Sequence, residues 1–493
     1  MKYLDRVRHY LLQLYLFLLL VGLPLFYVNT YERIGTMKWL FYRAITMGVF
    51  LEGFYIPGLL MIVLVLNVLV DKGSKRKKIN PFLTVYIISV IISFLLMEDK
   101  TLGLEGYRGW YMGLFSQISF FVIYVVVKEY YLDNQLLHYA VLLCSCYTSI
   151  LVVLNRFGIY PFGISQGFDE GMLRVFVSTI GNINWYASYL MIFVGVAFGS
   201  YILAETKRNH ILFAIWCGIL NMSLILQNSE SAFFSLAMLF AGLFISAYKK
   251  ERLLKTIELI MIMSFSFLFV GCLYLLFPNH AMPLEGFSDL MKNPIINVSI
   301  IILCMILYKY LQTITWDSLK MKRIVSGIII VGVLLILVVL KIKKSPYVAF
   351  NDEWGTHRGM VWRVTVESWI ELWKSNPLKA IFGVGPDAYA SYVYATHKET
   401  LSSYFFNQIV TNAHNEWITG FINYGFIGGM SYFLFFLSRI YHAILNHQKK
   451  TFLLIEFCMV LAYMTNNFFS FQSIVSTPLL FALMGSFDSQ VEN

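Results

Sequence analysis

Charge is the scarcest commodity in this 493-residue chain: Asp, Glu, Lys and Arg together make up 13%, against 58% hydrophobic residues. A soluble domain carries about 25% charged residues, so a soluble globular chain is excluded, and so is a disordered one. Cysteine is also rare. The six (Cys144, Cys146, Cys217, Cys272, Cys304, Cys458) all fall in apolar runs with no CxxC spacing, which argues against a zinc ribbon or a disulfide framework. Neither GxGxxG nor GxxxxGK[ST] occurs, so a nucleoside triphosphate is not expected as direct substrate. The alternating ten-residue pattern of a membrane β-barrel is missing. A separate basic domain is missing too, so the formal charge of +10 does not point to nucleic acid. The basic residues sit instead in short clusters between apolar runs, as in a polytopic membrane protein.

What the chain has in quantity is apolar runs long enough to cross a bilayer, which takes about 20 residues. They predict an all-α polytopic membrane protein with about fourteen spans, or twelve if the short runs are re-entrant. Spans are expected near 10–28, within a second run broken at Pro57, and near 80–97, 109–127, 136–154, 183–203 and onward to 475–488. The first run follows Lys2, Arg6 and Arg8 without a small-residue cleavage site and reads as a retained span. Basic clusters at 72–78, 205–210, 249–255 and 447–450 mark the inner side. Inner segments hold about 22 Lys and Arg against about 7 outside, which puts both termini inside. The organisation read from this is spans 1–11 over 1–342, a large outer loop over 343–414, and spans 12–14 with a short tail over 415–493.

That loop is the longest polar excursion in the chain. Its segment 354–377 reads as a helix stopped by Asn376-Pro377. Arg358, Trp362, Thr365, Trp369 and Trp373 recur on one stripe, which predicts an interfacial helix with Arg358 pointing to the bilayer side. Arg363, Glu367 and Glu371 form a neighbouring, solvated stripe. The loop ends at His414, where 411-TNAHNEWITG-420 enters an apolar helix.

Arginine and histidine held together at a bilayer surface suit a lipid-attached anionic substrate. A guanidinium forms charge-assisted bidentate bonds and does not deprotonate, whereas an imidazole accepts a proton near neutrality. Taken alone, His414 would be a capping residue and Arg358 an interface anchor that snorkels. Glu52 and the pair Asn466-Asn467 interrupt apolar runs, where interhelical hydrogen bonding is the default reading.

The order RxxxW (358–362), GVG (383–385), 413-AHNEWITGFINYGFIGG-429, preceded by 174-RVFVSTIGNINWYASYL-190, resembles the signature of the O-antigen polymerase and O-antigen ligase superfamily. The resemblance implies metal-independent, inverting glycosyl transfer from an undecaprenyl diphosphate-linked donor on a GT-C-like fold, in a bacterial inner membrane with the site on the extracytoplasmic side. No cofactor is implied. Carried over residue by residue, Arg174 and Arg358 clamp the donor diphosphate, and His414 is the base or orients the acceptor hydroxyl. Asn415 and Glu416 orient His414, Asn182 and Asn184 start the helix beside Arg174, and Trp362 lies at the substrate. Two departures stand out. Ser229-Glu230 replaces the family's frequent Ser-Arg, which leaves Glu230 without a role, and Ile183 replaces a proline.

The implied partners are the lipid-linked donor and acceptor glycans, the lipid bilayer, a chain-length regulator and a flippase, with no nucleic acid. The favoured reading is a polymerase that joins lipid-linked repeat units. A ligase that moves the finished glycan to a lipid or protein acceptor shares the same donor chemistry. A flippase is the rival from another class, but it calls for cations along a central cavity and for related halves, and neither is visible.

Overall fold

The computed structural model describes residues 2–28, 30–70, 77–247, 249–314, 350–405 and 409–492. Helices of ten or more residues are numbered here in chain order. They are α1 (Tyr3–Leu25), α2 (Ile34–Thr46), α3 (Leu59–Val70), α4 (Pro81–Leu96), α5 (Leu114–Tyr130) and α6 (Gln135–Arg156), then α7 (Ile183–Leu203), α8 (Lys207–Leu226), α9 (Glu230–Ser246), α10 (Lys250–Leu276) and α11 (Pro294–Thr313). The loop region supplies α12 (Trp354–Ser375) and α13 (Tyr389–Phe405), and the chain closes with α14 (Glu416–Asn446), α15 (Leu453–Asn466) and α16 (Thr477–Glu492). Among the described residues, seven of these are long and apolar enough to cross a membrane: α1, α6, α7, α8, α10, α11 and α14. Four shorter apolar helices, α3, α4, α9 and α15, accompany them. The chain is therefore an α-helical membrane protein. The expected span at 324–342, most of the basic cluster 72–78 and the first part of the large loop lie outside the described residues.

Helix starts follow from local capping chemistry. Asn80 and Asn293 each precede a proline and accept a hydrogen bond from the N–H two residues on, Asn134 and Asn415 cap α6 and α14 through the N–H groups two and three residues on, and Thr206 caps α8 through the Asn209 N–H. The second apolar run departs from expectation. Instead of one span broken at Pro57, it folds as α2, an antiparallel hairpin (β1 Gly48–Leu51, β2 Phe54–Pro57) and α3. Gly48 is the reason: its φ of 129° and its approach to Ile56 O, 2.1 Å from where a Cβ would sit, tolerate no side chain. Glu52 consequently occupies the exposed hairpin turn and not a helix interior.

The core centres on α7, whose residues are almost all buried. It packs antiparallel on α15 through Gly195 and Gly199, where an added Cβ would lie 2.5 Å from Met459 Cα and 2.7 Å from Ile455 Cα. This is the small-xxx-small contact that lets two membrane helices meet backbone to backbone. Gly195→Leu is expected to destabilise the fold by about 3 kcal/mol, because the obstruction is backbone that cannot move aside. A thermal unfolding curve in detergent checks this, and an unchanged midpoint refutes the packing argument.

The large loop folds over one end of the bundle with a small core of its own, including Met360, Val364, Leu372, Tyr389 and Val393. The tryptophan stripe is corrected by this packing. Trp369 lies against Phe421 and Phe426, and Trp362 donates to Ala413 O, so these two rings face α14 and its entry segment, while Trp373 at the end of the stripe stays exposed. Thr365 sets the rotation by bonding Val361 O and the Tyr389 hydroxyl. Arg363 does lie on a solvated face, paired with Asp352 and Glu367.

Candidate functional site

The site forms where the loop meets the start of α14. Asn415 is the N-cap and accepts from the N–H groups of Trp417 and Ile418 (3.0 and 3.1 Å). Thr419 ties the segment back by donating to Asn415 O and accepting from the Ala413 N–H. His414, one residue outside the cap, adopts a left-handed φ of 47°, and its N–H is held by Asn412 Oδ1 at 2.9 Å. A non-glycine residue in that region carries strain of about 1–3 kcal/mol, which the surrounding bonds enforce. The imidazole is thereby turned onto the edge of Phe471 (5.4 Å, 74°), with Nδ1 shut off from solvent and unpartnered in the fold.

Arg358 reaches the same place from α12. Residues 355–357 all have positive φ, so the regular part of α12 begins at Arg358 itself. Its guanidinium donates to Gly355 O at 3.1 Å, and its Nε, shut off from solvent, has no partner among the described residues. Burial lowers its pKa from the ordinary arginine value, and the facing Glu230 carboxylate pulls in the opposite direction. Burial first, and the Arg358 charge second, push the His414 pKa down to about 3. His414 is thus a neutral imidazole beside a charged guanidinium.

Aromatic rings wall this pair. Trp362 stacks on Phe469 (5.9 Å, 18°), Trp354 lies 5.3 Å from Trp362, and Phe469 meets Phe234 of α9 at 5.1 Å. On the other flank Phe471 meets Trp110, which meets Trp185. Asn182 caps α7 by accepting from the Asn184 N–H (2.8 Å), and Asn184 Oδ1 accepts from Ser229 Oγ at 3.3 Å. The start of α7 is therefore joined to the start of α9, where exposed Glu230 stands.

The remaining expected site residues sit differently. The Arg174 side chain is exposed on the loop before α7, and it is the Arg174 carbonyl that the fold holds, through Arg156 Nη2 at 3.0 Å. The same nitrogen donates to Gln227 O at 3.1 Å, so Arg174's backbone lies one guanidinium away from the turn that leads to Glu230. Glu416 does not turn toward His414. Its carboxylate is buried beneath the site and accepts from Tyr432 (2.6 Å), Tyr463 (3.0 Å) and Asn467. Asn415 is likewise occupied by its capping bonds and by none to the imidazole. Asn466 and Asn467 belong to this interhelical network, with Ser188 of α7 as the junction.

Sequence reasoning left Glu230 without a role and missed the aromatic walls from 469–471 and the role of Arg156. The available signals were a carboxylate at the head of an apolar helix and an arginine at the tail of another. Among the described residues, no three His, Cys, Asp or Glu side chains converge as metal ligands.

Asp387 anchors the floor of this end. It accepts from the N–H groups of Tyr107 (2.6 Å) and Met112 (3.2 Å), and burial nonetheless pushes its pKa up to about 7. The two groups give opposite pH dependences. His414 titrates lower in the fold than its ordinary 6.5, so the stability it contributes is complete above about 6.5 and is lost as pH falls toward about 3. Asp387 titrates higher than its ordinary 3.8, so its contribution is lost as pH rises from about 3.8 through about 7. Nitrogen NMR of the labelled histidines is expected to show His414 unchanged from pH 8 to pH 5. A midpoint near 6.5 would contradict the buried pairing with Arg358.

No family model, curated protein or solved structure matches this chain in comparisons with known proteins.

Proposed function

We propose that this chain is a polysaccharide polymerase, a membrane glycosyltransferase that joins polyprenyl diphosphate-linked oligosaccharide units in a bacterial inner membrane. The observation that carries the reading is the half-buried, electrostatically linked pair of Arg358 and His414. A desolvated guanidinium without a tight ion pair is poised for a polyanion, and diphosphate is the leaving group of this chemistry. In this reading the sugar C1–O bond to the diphosphate breaks while the acceptor hydroxyl forms a new C1–O bond on the opposite face. Arg358 takes up the leaving charge, assisted by the exposed Arg174, and the hydroxyl proton passes to His414. Binding of the donor also prepares the base. Burial is the larger cause of the low His414 pKa, and diphosphate offsets only the smaller one, the Arg358 charge, so the imidazole regains part of its basicity when the donor is in place. Glu230 balances Arg358 in the free enzyme and turns to acceptor hydroxyls once phosphate displaces it. Trp362 and its ring neighbours supply flat apolar faces for sugars.

In the same reading the fold is GT-C-like with fourteen crossings. That count assigns a single crossing to the unit of α2, hairpin and α3 and includes the expected span at 324–342, with the His414 end extracytoplasmic. The test is incubation of purified protein with a defined undecaprenyl diphosphate oligosaccharide, with neither metal nor nucleotide sugar added. A ladder of longer lipid-linked products is expected. Transfer of a single glycan only to a non-carrier acceptor would identify a ligase, and no transfer at all would overturn the reading.

A further inference from the structure

A sizeable cavity lies away from His414, at the opposite end of the bundle. It measures about 410 Å³ and is enclosed by α1, α6, α7, α8, α15 and α16. This is the size of ligand pockets, which run about 300–1,000 Å³. Its deep walls are Leu16, Phe193, Trp216 and Ala482, all buried and all apolar or aromatic. Its mouth is polar, edged by Gln135, His138, Asn209 and Gln490, with His138 already engaged by Asp133 and the Tyr131 hydroxyl. An apolar space of this size left empty would forfeit the dispersion contacts of every wall residue, since protein interiors are otherwise close-packed.

We propose that this cavity holds one acyl chain of a phospholipid, with the headgroup at the mouth. The gradient from apolar depth to polar rim fits an amphiphile, not a sugar or a nucleotide. The cavity opens where α6 and α8 start and α7 and α16 end, so a chain enters from the leaflet at that end of the bundle. Exposed Lys207 and Arg208 begin α8 directly before the rim residue Asn209, and they give the lipid phosphate cationic partners. Val196 and Ser200, four residues apart on α7, line one wall and are only half-buried, so larger side chains there intrude into the space before they disturb the core. The assignment is independent of the polymerase reading.

The experiment is native mass spectrometry of the full chain, delipidated in detergent and reloaded with dioleoyl phosphatidylglycerol. One lipid adduct per protein is expected for the wild type. At least a tenfold lower occupancy is expected for Val196→Trp and for Ser200→Trp, with thermal midpoints no lower than wild type. Lys207→Ala/Arg208→Ala is expected to weaken phosphatidylglycerol retention several-fold. The proposal is overturned if the wild type retains no lipid, if both tryptophan variants retain it fully, or if the protein purified from membranes carries only a prenyl-mass adduct there.

Discussion

Arg358→Ala is expected to lower chain extension by about 10³-fold while leaving the protein folded, because the leaving diphosphate loses its principal counter-charge. Arg358→Lys keeps the charge but not the planar fork, and recovers only part of the activity. The stability readout separates this from a folding defect. Among the described residues the half-buried guanidinium makes one hydrogen bond, to Gly355 O, so its removal is expected to leave the thermal midpoint unchanged or slightly raised. His414→Ala is expected to abolish extension as well, but alanine keeps the Cβ, so the left-handed strain stays and the thermal midpoint is not expected to rise. Wild-type product ladders from Arg358→Ala would remove the ground on which the functional reading stands.

Arg439→Leu is expected to do the reverse, costing about 3–5 kcal/mol of stability with no direct effect on the chemistry. Arg439 lies in the second limb of α14, beyond the break at Gly425 (φ 68°, ψ −174°) where the helix folds back on itself. Its Nε and Nη2 bond Glu456 Oε1, and its Nη1 meets Asp488. Lys128 of α5 approaches the same aspartate at 3.5 Å. The cluster thus pins α5, α14, α15 and α16 together at the end opposite the site. Removing the central cation leaves two buried carboxylates with one ammonium between them. Unfolding in detergent micelles measures the loss, and a wild-type midpoint would show that the cluster is not what holds these helices. Arg439→Lys is expected to restore part of the stability.

The membrane character, most helix positions and the helix at 354–375 were legible in the sequence, because hydropathy and capping are properties of contiguous residues. The expected span at 183–203 coincides with α7, and Asn376-Pro377 does end α12. The second apolar run was not legible as α2, hairpin and α3. Hydropathy sums do not register a glycine whose backbone has no room for a Cβ.

The order of the motifs suggested that Arg358 and His414 share a site, but which other residues join them is a matter of contacts between distant segments. Glu230, 128 residues before Arg358, has no periodic relation to it, and only the fold sets the carboxylate opposite the guanidinium. The orientation of Glu416, next to His414 in the chain, was decided the same way. The α14 cap turns the imidazole outward, and the Tyr432, Tyr463 and Asn467 donors draw the carboxylate inward. By itself the sequence determined that this chain lives in a bilayer, because burial in lipid is written in local composition. Which charges face one another was left to tertiary packing, since electrostatic energy depends on separation in space and on desolvation, and neither is encoded at a fixed spacing along the chain.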